Sequence, residues 1–280
     1  KYNNLNMKNI YPNIYQNSPR NLNKAKNFLK KNKIIGVPTE TVYGLAGNAY
    51  SYKAVKEIYN IKKRPKKNPL IIHYENIEKV KKDAVINKDF LKLYKKFCPG
   101  PLTFILKKRK NSKICPAASA NLNTIAVRFP GHKIAKKLLK KLNFPLAMPS
   151  ANISSSLSPI SALDVADEFG KKVGMIIDGG KSNIGLESTV VNLVKNIEVA
   201  RPGAINKKDI IKVLGKKIHT IKNYKKIYSP GMLKKHYSPG IPVILNCKII
   251  SNKDAFIVFG KKYKKGHNIF NLSYKGDLNQ

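Results

Sequence analysis

Ile34-Ile35-Gly36-Val37-Pro38-Thr39-Glu40-Thr41-Val42-Tyr43-Gly44-Leu45 begins as a short apolar run, breaks at a proline, and continues as two threonines around a carboxylate, an aromatic and a glycine. A run of that length bounded by turn residues reads as a buried strand over 34–37. Polar groups at the end of such a strand mark where α/β sheets bind ligands; Glu40 capping a following helix would leave the same trace. Upstream, Leu22, Ala25, Phe28 and Leu29 fall at helical spacing. Downstream, the pattern predicts helices over 53–61, 90–97, 133–142, 162–169 and 207–214. It predicts strands over 70–73, 103–106, 125–129, 145–148, 175–178, 189–193 and 218–221. This alternation argues an α/β fold on a mixed sheet. Residues 1–20, rich in Asn, Tyr and Pro without periodicity, read as a flexible leader in which Met7 is a candidate start. Residues 21–222 read as the main domain. Residues 223–241 turn to Tyr, Ser, Pro, Gly and His, which is linker chemistry. Runs at 242–245 and 255–259 then read as two strands of a second α/β unit over 242–280, too short to close its own core and expected to be incomplete.

The 280 residues are 42% apolar, which excludes a disordered chain, and no apolar run is long enough for a membrane span. Cys98, Cys115 and Cys247 lack CxxC spacing, which argues against a disulfide framework and a zinc cluster and for a reducing compartment. With no secretion signal in view, the expected location is the cytoplasm. The formal net charge of +40 favours polyanionic partners. It needs discounting, because 50 Lys stand against 5 Arg beside an excess of Asn and Ile, the signature of an AT-rich genome. The arginines carry more information, since their planar fork binds carboxylates and phosphates bidentately.

No GxGxxG occurs, and Gly180-Lys181-Ser182 lacks the first glycine of a P-loop. Lys62-Lys63-Arg64-Pro65-Lys66-Lys67-Asn68-Pro69, followed by a strand delivering His73, is a cationic loop with an amide donor, suited to a triphosphate; Lys66 and Lys67 read as solvated charge. Cys98-Pro99-Gly100-Pro101 is a rigid turn, and Cys98 has no evident activating base. Strand alternation puts Thr124, Ala126 and Arg128 on one face, where Arg128 needs an anion. A ligand carboxylate or phosphate is preferred there over an internal salt bridge. Pro149-Ser150-Ala151-Asn152 ends another strand with small and amide residues, and it is not the GxSxG of a hydrolase elbow. Ser158 lies in the loop beyond. Glu187-Ser188-Thr189 and Arg201-Pro202-Gly203 read as one hairpin beside a cleft, with a mutual Glu187–Arg201 ion pair as the plain alternative.

Five of these segments, 38–45, 62–73, 149–152, 187–189 and 229–239, occur in the order of the signatures of the threonylcarbamoyl-AMP synthases, and the chain resembles that YrdC-like family over 21–221 and on through the linker. The resemblance implies a twisted mixed sheet around a basic cavity. It implies a nucleotidyl transfer in which L-threonine, bicarbonate or CO2 and ATP, with Mg2+, give threonylcarbamoyl-AMP and pyrophosphate. Partner proteins would then pass the threonylcarbamoyl group to an adenosine of tRNA; direct contact with tRNA stays open. By the same resemblance, Thr41, His73, Arg128, Met148 and Ser188 match threonine-holding positions. Arg64, Asn68, Thr124, Ser150, Ser158, Arg201 and Ser229 match nucleotide-holding positions, and Ser229, His236 and Tyr237 would close the site as a lid. Arg64, Arg128 and Ser188 are the residues expected to carry the reaction. Two departures stand out: Lys63 replaces a usually small residue, and Met148 replaces a small residue before Pro149.

Two rivals are weaker. A carbamoyltransferase of hydrogenase maturation shares the YrdC-like fold, but would carry an acylphosphatase segment and CxxC zinc fingers. A non-catalytic RNA-binding module using the basic cavity accounts for the charge and leaves the Thr, Ser and Asn constellation unexplained.

Overall fold

Side-chain caps set the helices. In the computed structural model, which describes residues 11–220, 241–247, 253–262 and 266–277, Ser18 Oγ accepts from Asn21 N at 3.2 Å and Pro19 occupies the first turn of α1 (Pro19–Lys30). Ser51, Asn76 and Asn87 do the same for α2 (Tyr52–Ile61), α3 (Ile77–Val80) and α4 (Lys88–Phe97). His132 caps α5 (Lys133–Lys140) through its ring, and Ser161 with Asp164 forms a capping box on α6 (Ala162–Phe169). The last helix among the described residues, α7 (Lys207–Leu214), stops at Gly215 with φ +65°.

Between the helices run β1 (Ile14–Gln16), β2 (Ile35–Val37), β3 (Gly44–Asn48), β4 (Ile71–His73), β5 (Leu102–Lys107) and β6 (Thr124–Arg128). They are followed by β7 (Leu146–Ala147), β8 (Ile176–Asp178), β9 (Thr189–Asn192), β10 (Glu198–Arg201) and β11 (His219–Thr220). These form a mixed 11-stranded sheet in the order β1-β8-β2-β3-β7-β4-β6-β5-β9-β10-β11. β4 lies parallel to β6 with His73 opposite Arg128, and β5 lies antiparallel to β6 with Thr103 opposite Arg128. β9 continues the sheet parallel to β5.

Alternation along the strands feeds two cores. On one face α2, α4, α6 and α7 pack through Val55, Ile58, Phe90, Leu93, Val165 and Ile210 onto Leu45, Ile72, Phe104 and Val127. On the other, α1 and α5 pack through Leu22, Ala25, Leu29, Ile134 and Leu138 onto Ile35, Val37, Ala46 and Ile177. On β6, Ile125 and Val127 enter the larger core, which leaves Thr124, Ala126 and Arg128 on the opposite face as the alternation predicts.

Two expectations are corrected. The supposed leader contains β1, paired in parallel with β8 from Ile14↔Ile176 to Gln16↔Asp178, and the start of α1. A three-residue strand is too short to show periodicity, and its partner lies some 160 residues away. Residues 242–245 are not a strand; Val243, Ile244 and Leu245 are exposed. Residues 1–239 and 240–280 form two compact units. In the second, β12 (Phe256–Val258) pairs in parallel with β13 (Ile269–Asn271).

Candidate active site

The polar ends of β2, β4, β6, β7 and β10 meet, with the loops that follow them and the start of β9, around a cleft open to solvent. Thr39 Oγ1 donates to Val42 O at 2.5 Å and lies 2.9 Å from Thr41 Oγ1. Its single proton being used, Thr39 accepts from Thr41, and the Thr41 lone pairs are left to the cleft. Between them Glu40 turns away from the cleft. Its carboxylate accepts from Arg128 Nη2 at 2.7 Å, Gly131 N at 2.9 Å and His132 N at 3.2 Å. Burial opposes the charge of Glu40, but Arg128 and the Gly131 N–H outweigh it and hold the carboxyl below its usual range. Of the two partners weighed for Arg128, the internal one is present: it is Glu40, and Arg128, only 4% exposed, also lines the cleft.

The loop after α2 supplies two more cations. Lys62, 1% exposed, donates from Nζ to Ser150 O at 2.6 Å and to Asn152 O. Burial and the neighbouring Arg64 charge pull its ammonium down to about 7. Lys63 adopts φ +48°, a left-handed conformation that favours glycine over a longer side chain. Arg64 donates to Asn68 O at 3.0 Å, Asn68 Oδ1 at 2.7 Å and Pro69 O at 2.8 Å, so these two expected residues hold one another in place.

His73 is 1% exposed, and neither ring nitrogen makes a well-formed hydrogen bond among the described residues. Burial and the Arg128 charge keep the imidazole well below its usual pKa, hence neutral. Met148 lies over Gly44, where an added Cβ would sit 2.4 Å from Met148 Cγ, so that glycine accommodates the larger side chain. Asn152 donates to Ile153 O and Ser156 O at 2.8 Å each and leaves a buried Oδ1 without a partner among the described residues.

At the far wall Arg201 pairs with Glu187 and donates to Ser188 O at 2.8 Å and Ser188 Oγ at 3.1 Å. Ser188 Oγ also lies 2.7 Å from Thr103 Oγ1. The two readings of this hairpin both hold: the ion pair forms, and both members line the cleft. Gly203 is required here, since a Cβ would meet Glu187 O at 2.4 Å and Thr189 N at 2.5 Å.

Thr41, Arg64, Asn68, His73, Arg128, Met148, Ser150, Ser188 and Arg201 thus come together. Ser158 does not line the cleft but donates to Glu187 Oε1 at 3.2 Å. Thr124 is not brought to this cleft: four residue steps along β6, about 13 Å, part it from Arg128, and it lines a separate hollow with Ile105, Asn192 and Glu198. Ser229, His236 and Tyr237 lie outside the described residues. The sequence reading passed over Lys62, Asn152 and Glu40 as individual site residues. The Lys-x-Arg spacing after a helix was the available signal for Lys62, hidden by the abundance of lysine.

Four cations line the cleft against one carboxylate, Glu187, already ion-paired. Among the described residues no group of three or more His, Cys, Asp or Glu could cage a metal ion, so the donor set does not fit a protein-held Mg2+. The arrangement can bind a polyanion, grip a carboxylate and offer hydroxyls and a neutral imidazole to a small polar ligand.

Comparison with known proteins agrees with this chemistry. The model of the Sua5/YciO/YrdC family, described as telomere recombination, matches residues 27–203, and the threonylcarbamoyl-AMP synthase C-terminal domain matches 205–279. The chain is 44% identical over 217 residues to the threonylcarbamoyl-AMP synthase of Pyrococcus abyssi and 40% identical over 215 residues to that of Bacillus subtilis. These alignments take in 74% and 75% of the chain but 62% of each relative. A crystal structure of P. abyssi Sua5 complexed with L-threonine superposes with a TM-score of 0.77 at 37% identity, over 88% of this chain and 70% of that one. The match over 27–203 takes in the whole cleft, and with it the chain belongs to the Sua5/YciO/YrdC family.

Proposed function

We propose that the cleft makes threonylcarbamoyl-AMP and pyrophosphate from L-threonine, bicarbonate or CO2 and ATP. The observation that carries this is the gathering of Lys62, Arg64, Arg128 and Arg201 with the hydroxyls of Thr41, Ser150 and Ser188 around one space. The threonine amine adds to CO2, loses a proton to solvent and becomes a carbamate. A carbamate oxygen then bonds to the α-phosphorus of ATP. The bond from that phosphorus to the bridging oxygen breaks, and pyrophosphate leaves with the electron pair. Such a transfer needs alignment and charge stabilisation more than a strong base.

In this reading Arg128, one arm fixed by Glu40, receives the threonine carboxylate. Thr41, Ser188 and the neutral, unpartnered His73 surround the amino-acid hydroxyl, and Met148 closes the pocket wall. Arg64, Asn68, Ser150 and Arg201 hold the nucleotide, with Ser158 acting through Glu187. Lys62 fixes the Ser150–Asn152 backbone against the phosphates. Mg2+ enters with the ATP phosphates and their water. The domain that holds β1 to β11 carries the catalysis, 223–241 supply the lid with Ser229, His236 and Tyr237, and 242–280 belong to a C-terminal domain. Downstream proteins that transfer the threonylcarbamoyl group to tRNA are the expected partners, in the cytoplasm; among the described residues no helix is long and apolar enough to cross a membrane.

The test is pyrophosphate release from MgATP in bicarbonate buffer, with L-threonine, with L-serine and with neither. Release that needs threonine supports the synthase. A folded protein that releases none, yet binds RNA in its cleft, overturns it in favour of the RNA-binding module.

A further inference from the structure

Two buried threonines, Thr39 and Thr103, give the hydroxyls beside them a direction. A hydroxyl has one proton and two lone pairs, so the partners it already has fix what it can offer a ligand. Thr39 Oγ1 donates to Val42 O at 2.5 Å and takes the proton of Thr41 Oγ1 at 2.9 Å, which leaves Thr41 with lone pairs alone. At the far wall the order is reversed. Thr103 stands on β5 opposite Arg128, on the sheet face away from Phe104 and the larger core. Its side chain is fully buried, and among the described residues Ser188 Oγ, at 2.7 Å, is the one partner of its hydroxyl. A buried donor left unmade costs more than a made bond gains, so Thr103 is the donor of this pair. Arg201 Nη2 donates to the same oxygen at 3.1 Å. Both lone pairs of Ser188 Oγ are then occupied, and only its proton is left. Thr41 and Ser188 line the cleft, so one wall presents an acceptor and the other a donor.

We propose that Thr39 and Thr103 are positioning residues that make Thr41 an obligate acceptor and Ser188 an obligate donor, and that this opposed pair selects an amino acid carrying a side-chain hydroxyl. Such a hydroxyl donates to Thr41 and accepts from Ser188. A methyl group in its place leaves both buried groups without a partner, the condition under which a site rejects an isostere most strongly. His73 enforces no direction, because a neutral imidazole has one donor and one acceptor nitrogen and either tautomer is open to it. The plain alternative is that Thr39 ties its own turn and Thr103 ties β5 to β9. That accounts for each bond singly, but not for two relays that end on one cleft with opposite polarity. The proposal rests on the synthase reading, in which these groups surround the threonine hydroxyl.

The experiment compares the whole chain with Thr39→Val, Thr39→Ser, Thr103→Val and Thr103→Ser. Valine keeps the shape of threonine without the hydroxyl, and serine keeps the hydroxyl. Melting curves identify the folded variants. Binding of L-threonine is measured by calorimetry, binding of L-valine by displacement of L-threonine, and pyrophosphate release at steady state. Each valine variant should bind L-threonine about tenfold more weakly, with L-valine affinity unchanged. The loss should fall on the threonine KM more than on kcat, and each serine variant should return to within about threefold of the parent. Equal losses for both amino acids, serine variants as weak as the valine variants, or valine variants with the parent's preference for threonine would each overturn the proposal. The two relays act on separate walls, so either pair of variants decides the matter if the other valine variant does not fold. A threonine preference that the valine variants lose, in a parent that releases no pyrophosphate, would uphold the relays and count against the synthase. A parent that binds valine as well as threonine would overturn both.

Discussion

The cations of the cleft and those of the α1/α5 face have the same charge and opposite physics. Arg128 and Arg201 are buried, ion-paired to Glu40 and Glu187, and fixed by further hydrogen bonds. Lys137, Lys140 and Arg20 stand in solvent with no acid on their helices. Charges of the first kind are costly to disturb and weakly screened by salt, whereas those of the second are cheap to remove and strongly screened. The comparison teaches that net charge alone says little, because what a cation can do depends on whether the fold has already fixed its direction.

The sharpest way to break this contrast is Arg128→Ala. It should abolish threonine-dependent pyrophosphate release and cost about 3–5 kcal/mol in denaturant unfolding, because Glu40 is left buried and unpaired. Adding Glu40→Gln should recover part of the stability and none of the activity; full additivity of the two costs would show that the pair is not coupled. Next comes Gly203→Ala. Its Cβ has no room beside Glu187 O and Thr189 N, so about 1–3 kcal/mol of stability should be lost, together with activity, as Ser188 and Arg201 are displaced. An unchanged melting curve would contradict the close approach.

A pH experiment addresses His73. Burial beside Arg128 holds its folded pKa well below the ordinary 6.5, so near that pH the unfolded chain binds a proton that the folded chain does not. The His73 contribution to stability should therefore be present above 6.5 and be lost as pH drops below it, by at most about 1.4 kcal/mol per pH unit. His73→Leu should flatten that fall and raise the threonine KM; a profile identical to the parent's would place the titration elsewhere. The smallest effect is expected on the outer face. Lys137→Gln with Lys140→Gln, both exposed, should change stability by less than about 0.5 kcal/mol. Lys63→Gly, at φ +48°, offers a similarly small adjustment inside the cleft loop: relief of strain at a left-handed position, worth under about 1 kcal/mol and offset in part by glycine's entropy.

Most of the helices were legible because Leu22, Ala25 and Leu29, or Phe90 and Leu93, bury one stripe of a period that sequence displays directly. β1 was not, since Ile14 and Tyr15 become a strand only by pairing with Ile176 and Ile177. The cleft was legible where rare residue types stand out, as with Arg64, Arg128 and Arg201. Lys62 was lost among the lysines, since the Lys-x-Arg spacing that marks it is easily missed beside Lys63, which is exposed. Thr124 stands apart from the cleft for a related reason. Sharing a strand face with Arg128 fixes the direction of a side chain but not its distance from the site.

By itself, then, the sequence determined the alternation of elements, the turn chemistry, the ordered motifs and the family they point to, because each of these is written in neighbours along the chain. The tertiary structure decided which cations are paired. It set Glu40 behind Arg128 and Glu187 against Arg201, drew Lys62 onto the Ser150–Asn152 carbonyls, and gathered the acid-free helices on one face. Those outcomes depend on distances between residues tens of positions apart, and a charge acquires its worth only from the groups that the fold brings within a few ångströms of it.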